Sequence, residues 1–213
     1  MRELPGLIGY FNTQGFDAEI IIVNDGSAEV TALRNYCVQN GFKLIDHDIN
    51  QGKGASVRTG MMQASRDIRI FTDADIPFQY HIFDDIIARF KQPEVKIVCG
   101  DRRKSDYFRK TPLVRRMGSG VFSMLVNMMM LRNMGDTQCG IKAFHRDVID
   151  QVFGKSHLNG FAADIEWLWR AHQSSVKVFW VNAEFRNAGE SSVVFWKQAI
   201  RMFRDLIRLR IKG

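Results

Sequence analysis

The sequence predicts an α/β domain, a mostly parallel sheet flanked by helices. Short apolar, β-branched runs alternate with helix-length segments through brief connections, the pattern of strands joined by crossover helices. The runs end in polar or glycine-bearing loops, where sheets of this kind place their ligands. The composition is that of a globular chain: 213 residues, 46% hydrophobic and 25% charged, which excludes disordered and fibrous classes.

The first strand is read at residues 19–23 (EIIIV), an apolar β-branched run that ends in Asn24-Asp25-Gly26-Ser27. A helix follows to about Asn40, then a second strand over residues 43–46 (KLID). The loop Asn50-Gln51-Gly52-Lys53-Gly54 leads into a helix over 55–65. A third strand spans 67–72 (DIRIFT) and ends in Asp73-Ala74-Asp75. Next come a helix at about 80–91 and a strand over 96–100 (KIVCG). Four basic residues (Arg109, Lys110, Arg115, Arg116) precede an apolar helix, and Asp136-Thr137-Gln138-Cys139-Gly140 opens another loop. A helix over 162–173 carries Asp164 and Glu166, a strand spans 176–181 (VKVFWV), and residues 193–211 form a basic helix.

Several function classes fall away. The three cysteines lie far apart with no CxxC pair, so a disulfide framework and a zinc ribbon are not expected, and a reducing compartment fits best. The net charge is +7. Residues 197–213 hold six basic residues against Asp205 alone, a net +5, which leaves +2 on the other 196 residues. The body is therefore close to neutral, against nucleic-acid binding by the whole domain. Residues 1–20 contain no apolar h-region, so no signal peptide is expected. The longest uncharged apolar stretch, residues 117–131, has 15 residues, short of the roughly 20 that span a bilayer. Neither a P-loop, an HExxH pair nor a GxSxG elbow is present.

Asp73-Ala74-Asp75 is the sharpest chemical feature. Two carboxylates at i and i+2 after a buried strand can grip one hard cation, Mg²⁺ or Mn²⁺, which commonly bridges substrate phosphates. They also suit a plain loop that caps the next helix. Asp25 reads either as part of a turn or as a carboxylate facing a nucleotide. Gly52-Lys53-Gly54 allows close backbone approach to a phosphate, with Lys53 adding charge. Arg102, Arg103, Arg109, Arg115 and Arg116 form either a solvated face or a phosphate clamp. In residues 193–211, Val193, Trp196, Ala199, Ile200, Phe203, Ile207 and Ile211 recur near the helical period, with Arg201, Arg204, Arg208 and Lys212 mainly on other faces. This reads as a membrane-interface helix in preference to a helix packed on its own domain.

The ordered set IIIVNDGS (20–27), NQGKGASVRTGM (50–61), FTDAD (71–75), GDRR (100–103), DTQCGIKAF (136–144) and FAADIEWLWRA (161–171) resembles family 2 glycosyltransferases of the GT-A fold. The polyprenyl-phosphate branch, with its dolichyl-phosphate glucosyl- and mannosyltransferases, is the most similar. The resemblance covers roughly residues 19–211. It implies a fold that lacks its usual first strand, a transferase domain over 1–192 and a membrane-interface helix over 193–213. Asp25, Lys53, Asp73, Ala74 and Asp75 would bind the nucleotide sugar, with Asp73 and Asp75 at the metal. Arg102 and Arg115 would face the acceptor phosphate. Asp136, Asp164 and Glu166 would be catalytic, with Gln138 near the sugar. Asp101 replaces a serine of the family pattern, Pro77 stands where some relatives carry a polar residue, and GESS (189–192) lacks a lysine often found there.

The implied reaction is inverting transfer of glucose or mannose from a UDP- or GDP-hexose to a dolichyl or undecaprenyl phosphate. It needs Mg²⁺ or Mn²⁺ and takes place on the cytoplasmic face of a membrane, with no nucleic acid and with room for a homo-oligomer. A soluble polysaccharide-extending transferase, or an inactive membrane-associated module, are the alternatives. A phosphate acceptor brings its own anionic nucleophile; a sugar alcohol would need a carboxylate base. The sequence leaves that choice open.

Overall fold

The computed structural model describes residues 3–103, 105, 135–186 and 195–212. The elements run α1 (Leu4–Gln14), β1 (Ile21–Asp25), α2 (Val30–Asn40), β2 (Lys43–His47), α3 (Lys53–Gln63), β3 (Ile68–Thr72), α4 (Ile82–Phe90), β4 (Ile97–Asp101) and β5 (Ile141–His145). Short 3₁₀ and π turns follow at Arg146–Val148 and Asp150–Gly154, then α5 (Ala163–Gln173), β6 (Val178–Asn182) and α6 (Phe195–Lys212). The basic stretch before the apolar helix, Arg115 included, and the GESS loop lie outside the described residues.

β1 and β2 pair in parallel. The other four strands form a sheet in the order β3-β5-β4-β6. β4 and β6 are parallel, whereas β5 runs antiparallel to both β3 and β4. β5 falls in a stretch to which the sequence reading assigned no element, just after the expected loop at 136–140. Its sequence, IKAFH, places a lysine in an apolar run, and only burial between two strands makes that run a strand. β1 starts two residues later than expected, because Glu19 turns aside to accept hydrogen bonds from the Ser65 hydroxyl and the Ser65 and Arg66 amides.

Successive strand residues face opposite sides of a sheet. Ile97, Cys99 and Phe144 accordingly enter one core with Trp167 and Leu168 of α5. Val98, Ile141 and Ala143 enter a second with Ile82, Phe83 and Ile86 of α4 and Leu7 of α1. Lys142 lies between Ile141 and Ala143 and so points to the α5 side. Edge-on ring contacts of Phe71 with Trp167 and of Phe144 with Phe153 fix the first core.

α6 packs by a face that the sequence reading left out. Leu206 and Leu209 are buried in the first core, with Met202 against it. Phe203, Ile207 and Ile211 remain exposed, at 40%, 36% and 78%. The helix is therefore docked on its own domain and still presents an apolar stripe to solvent. Among the described residues no helix is long and apolar enough to cross a membrane.

Candidate active site

The carboxyl ends of β1, β3 and β4 converge with the loop before β5 and the first turns of α3 and α5. Each end contributes a carboxylate because the strand above it is apolar and the chain must leave the sheet through a polar turn. At the end of β1, Asp25 accepts hydrogen bonds from the Gln51 amide (2.9 Å) and the Gly52 amide (2.8 Å), and its Oδ1 lies 2.9 Å from His47 Nδ1. Burial works against ionisation, but these three contacts hold the carboxyl below the usual carboxylate range. Asp25 thus braces the loop that starts α3. Gly52 is required there: φ is +100°, and a Cβ would meet the Asn159 carbonyl oxygen at 2.5 Å.

Lys53, in the first turn of α3, reaches Asp73 Oδ1 at 2.6 Å. Its burial disfavours the ammonium, but Asp164 and then Asp73 outweigh that and raise its pKa. Asp73 donates its amide to the Gly140 carbonyl (3.1 Å). A side chain at Gly140 would collide with the Asp73 carboxylate, which ties the 136–140 loop to the end of β3. Ala74 and Asp75 are exposed at the turn. Ile76 closes it at φ +41°, an uncommon conformation for a β-branched residue, with its amide on the Asp73 carbonyl.

Arg102 follows β4 and grips Asp136 bidentately, with Nε–Oδ2 at 2.5 Å and Nη2–Oδ1 at 2.8 Å. Burial pushes the Asp136 carboxyl up, but the Arg102 guanidinium overrides it and holds the carboxyl below its ordinary value. Arg103 turns away to Asp101, Nη2 to Oδ2 at 2.5 Å. Asp164, in the first turn of α5, accepts from Lys142 Nζ at 2.6 Å, and Lys142 also donates to the Cys139 carbonyl at 2.7 Å. Lys142 is wholly buried, with its ammonium 5.4 Å from the Phe71 ring centroid. The site is therefore an array of ion pairs: Asp73–Lys53, Asp136–Arg102 and Asp164–Lys142.

Glu166, expected from the sequence to be catalytic, lies apart from this array. It has no exposed surface and accepts from the Ser156 hydroxyl, the His157 and Leu158 amides and the Arg170 guanidinium. One residue pair on α5, two apart, cannot share a face, so Asp164 looks to the site and Glu166 into the 156–158 turn. Lys142 was not anticipated; its only signal was a lysine inside an apolar run. Thr72 Oγ1 and Gln138 Nε2 are buried with no hydrogen-bond partner among the described residues, two polar atoms left for a ligand.

Asp75 makes no hydrogen bond among the described residues, and Asp73 keeps Oδ2 off Lys53. By chemistry alone two carboxylates are hard-oxygen donors that suit Mg²⁺ or Mn²⁺; among the described residues no group of three or more His, Cys, Asp or Glu side chains is gathered to hold a cation, so its other ligands would have to come from phosphate and water.

A family model, glycosyl transferase family 2, matches residues 10–153. The chain is 27% identical over 208 residues to a dolichyl-phosphate beta-glucosyltransferase from Dictyostelium discoideum, covering 92% of this chain and 64% of that protein. To the Drosophila melanogaster protein of the same description it is 30% identical over 217 residues, covering 94% and 65%. The chain thus spans less than two thirds of the length of these curated relatives. The structure of glucosyl-3-phosphoglycerate synthase from Mycobacterium tuberculosis with Mn²⁺, UDP-glucose and phosphoglyceric acid matches with a TM-score of 0.65 at 15% identity, covering 90% of this chain and 69% of that one. That likeness establishes the fold, the GT-A arrangement expected from the sequence.

Proposed function

The chain belongs to glycosyl transferase family 2, and from that premise we propose that it transfers glucose from UDP-glucose to a polyprenyl phosphate at a membrane surface. One observation carries the choice of acceptor: apart from Asp75, which is exposed at the mouth and assigned to the cation, the carboxylates of the site are engaged. Asp25 is bound by two amides and a histidine, Asp73 by Lys53, Asp136 by Arg102 and Asp164 by Lys142. Carboxyls held ionised by such partners, as Asp25 and Asp136 are, make poor bases. A sugar alcohol would need one. A phosphate monoester, with a second pKa near 6, arrives as an oxyanion and attacks unaided.

The chain's residues then have separable roles. Asp73 and Asp75 hold the divalent cation. Bound Mg²⁺ or Mn²⁺ supplies neutralisation of the charge that grows on the departing diphosphate. Lys53 places a further positive charge beside Asp73, within the same field. Asp136 fixes the plane of Arg102 through Nε and one Nη, which leaves the outer guanidinium N–H groups for the acceptor phosphate. Asp164 offers its second oxygen to a sugar hydroxyl. The acceptor oxygen attacks the anomeric carbon opposite the nucleotide, the C–O bond to the diphosphate breaks, and the configuration inverts.

Glucose is preferred to mannose because the curated relatives are dolichyl-phosphate beta-glucosyltransferases, and UDP to GDP because the solved Mycobacterium tuberculosis synthase of the same fold binds UDP-glucose. The exposed Phe203–Ile207–Ile211 stripe, bordered by Arg204, Arg208 and Arg210, supports binding at an anionic membrane surface. Three unpaired, buried cysteines are in keeping with the cytoplasmic face.

The test is incubation of the purified chain with UDP-glucose, Mn²⁺ and a polyprenyl phosphate in anionic detergent-free vesicles, with glucolipid followed by mass spectrometry. Formation of a glucosyl phospholipid is the expected result. Glucose appearing only on an oligosaccharide, or no binding of UDP in the presence of Mn²⁺ by calorimetry, would replace this reading with one of its alternatives.

A further inference from the structure

His47 places a polar ring between the end of β1 and α3. β1 and β2 pair with Asp25 opposite His47. Strand residues alternate in direction, so Asp25 lies on the same side as Val23, which faces Gly60 of α3. His47 bridges the two elements there. Its side chain is 8% exposed and both ring nitrogens are engaged: Nδ1 lies 2.9 Å from Asp25 Oδ1, and Nε2 lies 3.0 Å from Thr59 Oγ1 on α3. Asp25 is held ionised, and an ionised carboxylate only accepts, so Nδ1 carries the proton of that bond.

This bond limits what else Asp25 can receive. A carboxylate offers about four acceptor positions, two on each oxygen. Oδ1 takes the Gln51 amide and His47 Nδ1, so both of its positions are filled. Oδ2 takes the Gly52 amide and, among the described residues, keeps one position. The Asp25 side chain is 20% exposed, so that position can be reached from outside. A ligand therefore meets one acceptor, on Oδ2, and not a two-oxygen fork.

Nucleobases differ in how they meet a carboxylate. Guanine carries two adjacent donors on its pairing edge, N1–H and N2–H, and grips a carboxylate through both oxygens at once. Uracil carries one donor, N3–H, between two carbonyls, and needs a single acceptor. With Oδ1 filled, guanine would be left with a desolvated N–H that has no partner, which costs affinity. Resting on the transferase reading, in which Asp25 faces the nucleotide base, we propose that His47 determines base specificity: by filling the last position on Oδ1 it lets Asp25 accept one N–H donor, which admits uracil and rejects guanine. His47 acts through Asp25 and touches no part of the donor itself, so it is a positioning residue.

The experiment is calorimetric titration of the full chain with UDP and with GDP, each in the presence of Mn²⁺. The two ligands share ribose and diphosphate, so the ratio of their affinities reports on the base alone. The unmodified chain should prefer UDP by at least about tenfold, the scale set by one unpaired hydrogen-bonding group. His47→Asn keeps an N–H donor at the place of Nδ1 and should keep the ratio. His47→Gln keeps a polar group only at the place of Nε2, and His47→Leu keeps only bulk. Both empty the position on Oδ1 and should lower the ratio at least about fivefold, with GDP affinity rising. A purely structural role would weaken UDP and GDP together, or would make His47→Asn resemble His47→Leu. Either result overturns the proposal, as does equal affinity of the unmodified chain for the two nucleotides. Binding of neither nucleotide overturns the transferase reading along with it, whereas selective UDP binding without sugar transfer overturns that reading alone.

Discussion

Lys142 and Asp75 mark two extremes of the site's electrostatics. Lys142 has no exposed surface and shares its proton donors between Asp164 and the Cys139 carbonyl. Lys142→Met keeps the volume but leaves Asp164 buried without its counter-charge, and breaking a buried pair in this way costs about 3–5 kcal/mol. Chemical denaturation should show that loss, and Lys142→Met combined with Asp164→Leu should recover most of it while sugar transfer stays absent. Recovery of transfer in the double variant would mean that the pair serves the fold alone. Asp75 is exposed and makes no hydrogen bond among the described residues, so Asp75→Ala should change stability by less than about 0.5 kcal/mol. It should nonetheless abolish metal-dependent transfer; retained Mn²⁺ dependence would remove Asp75 from the metal site. Asp25 and Asp136 are both held below their ordinary pKa. Their contribution to stability is therefore present above the unfolded carboxyl pKa, about 3.9, and is lost as pH falls through the lower folded values. Asp25→Asn should flatten the acid limb of a stability–pH curve below about pH 4, as followed by urea midpoints.

At the scale of the element, α6 divides its apolar residues between two faces. Leu206 and Leu209 anchor the helix in the first core, whereas Phe203, Ile207 and Ile211 form the exposed stripe. Deleting the helix would therefore uncover the core as well as remove the proposed membrane contact. Point changes separate the two. Phe203→Glu with Ile207→Glu should leave Tm unchanged and release the protein from phosphatidylglycerol vesicles in co-sedimentation. Leu206→Ala should lower stability by about 2–5 kcal/mol without changing vesicle binding of the folded protein. Each arginine near an anionic surface contributes about 1 kcal/mol that salt screens, so wild-type binding should weaken at high salt without vanishing. β5 makes a related point about strands. Its alternation puts Ile141 and Ala143 on one side and Lys142 and Phe144 on the other, so a single strand supplies both a core layer and the site's buried cation.

For the molecule as a whole, local chemistry made the α/β class legible. Strand–helix alternation placed β1 to β4 and β6 within two residues of where they lie, and the turn residues after them pointed to Asp25, Lys53, Asp73 and Asp75. Those signals are local: β-branched runs must be buried, and the chain leaves a sheet through polar turns. Which carboxylates face one another was not legible. Asp164 and Glu166 sit two residues apart with equal chemical credentials, and only the packing of α5 turns one to the site and the other onto Ser156 and Arg170. The pairing of Arg102 with Asp136 joins residues 34 apart, and that of Lys142 with Asp164 joins residues 22 apart. The reversed direction of β5 is likewise invisible to periodicity. Sequence alone determined what this chain must bury and where it must turn, because burial and turning depend on neighbours a few residues away. Tertiary structure decided which charges neutralise which, because an ion pair depends on distance in space between segments that the chain order keeps apart.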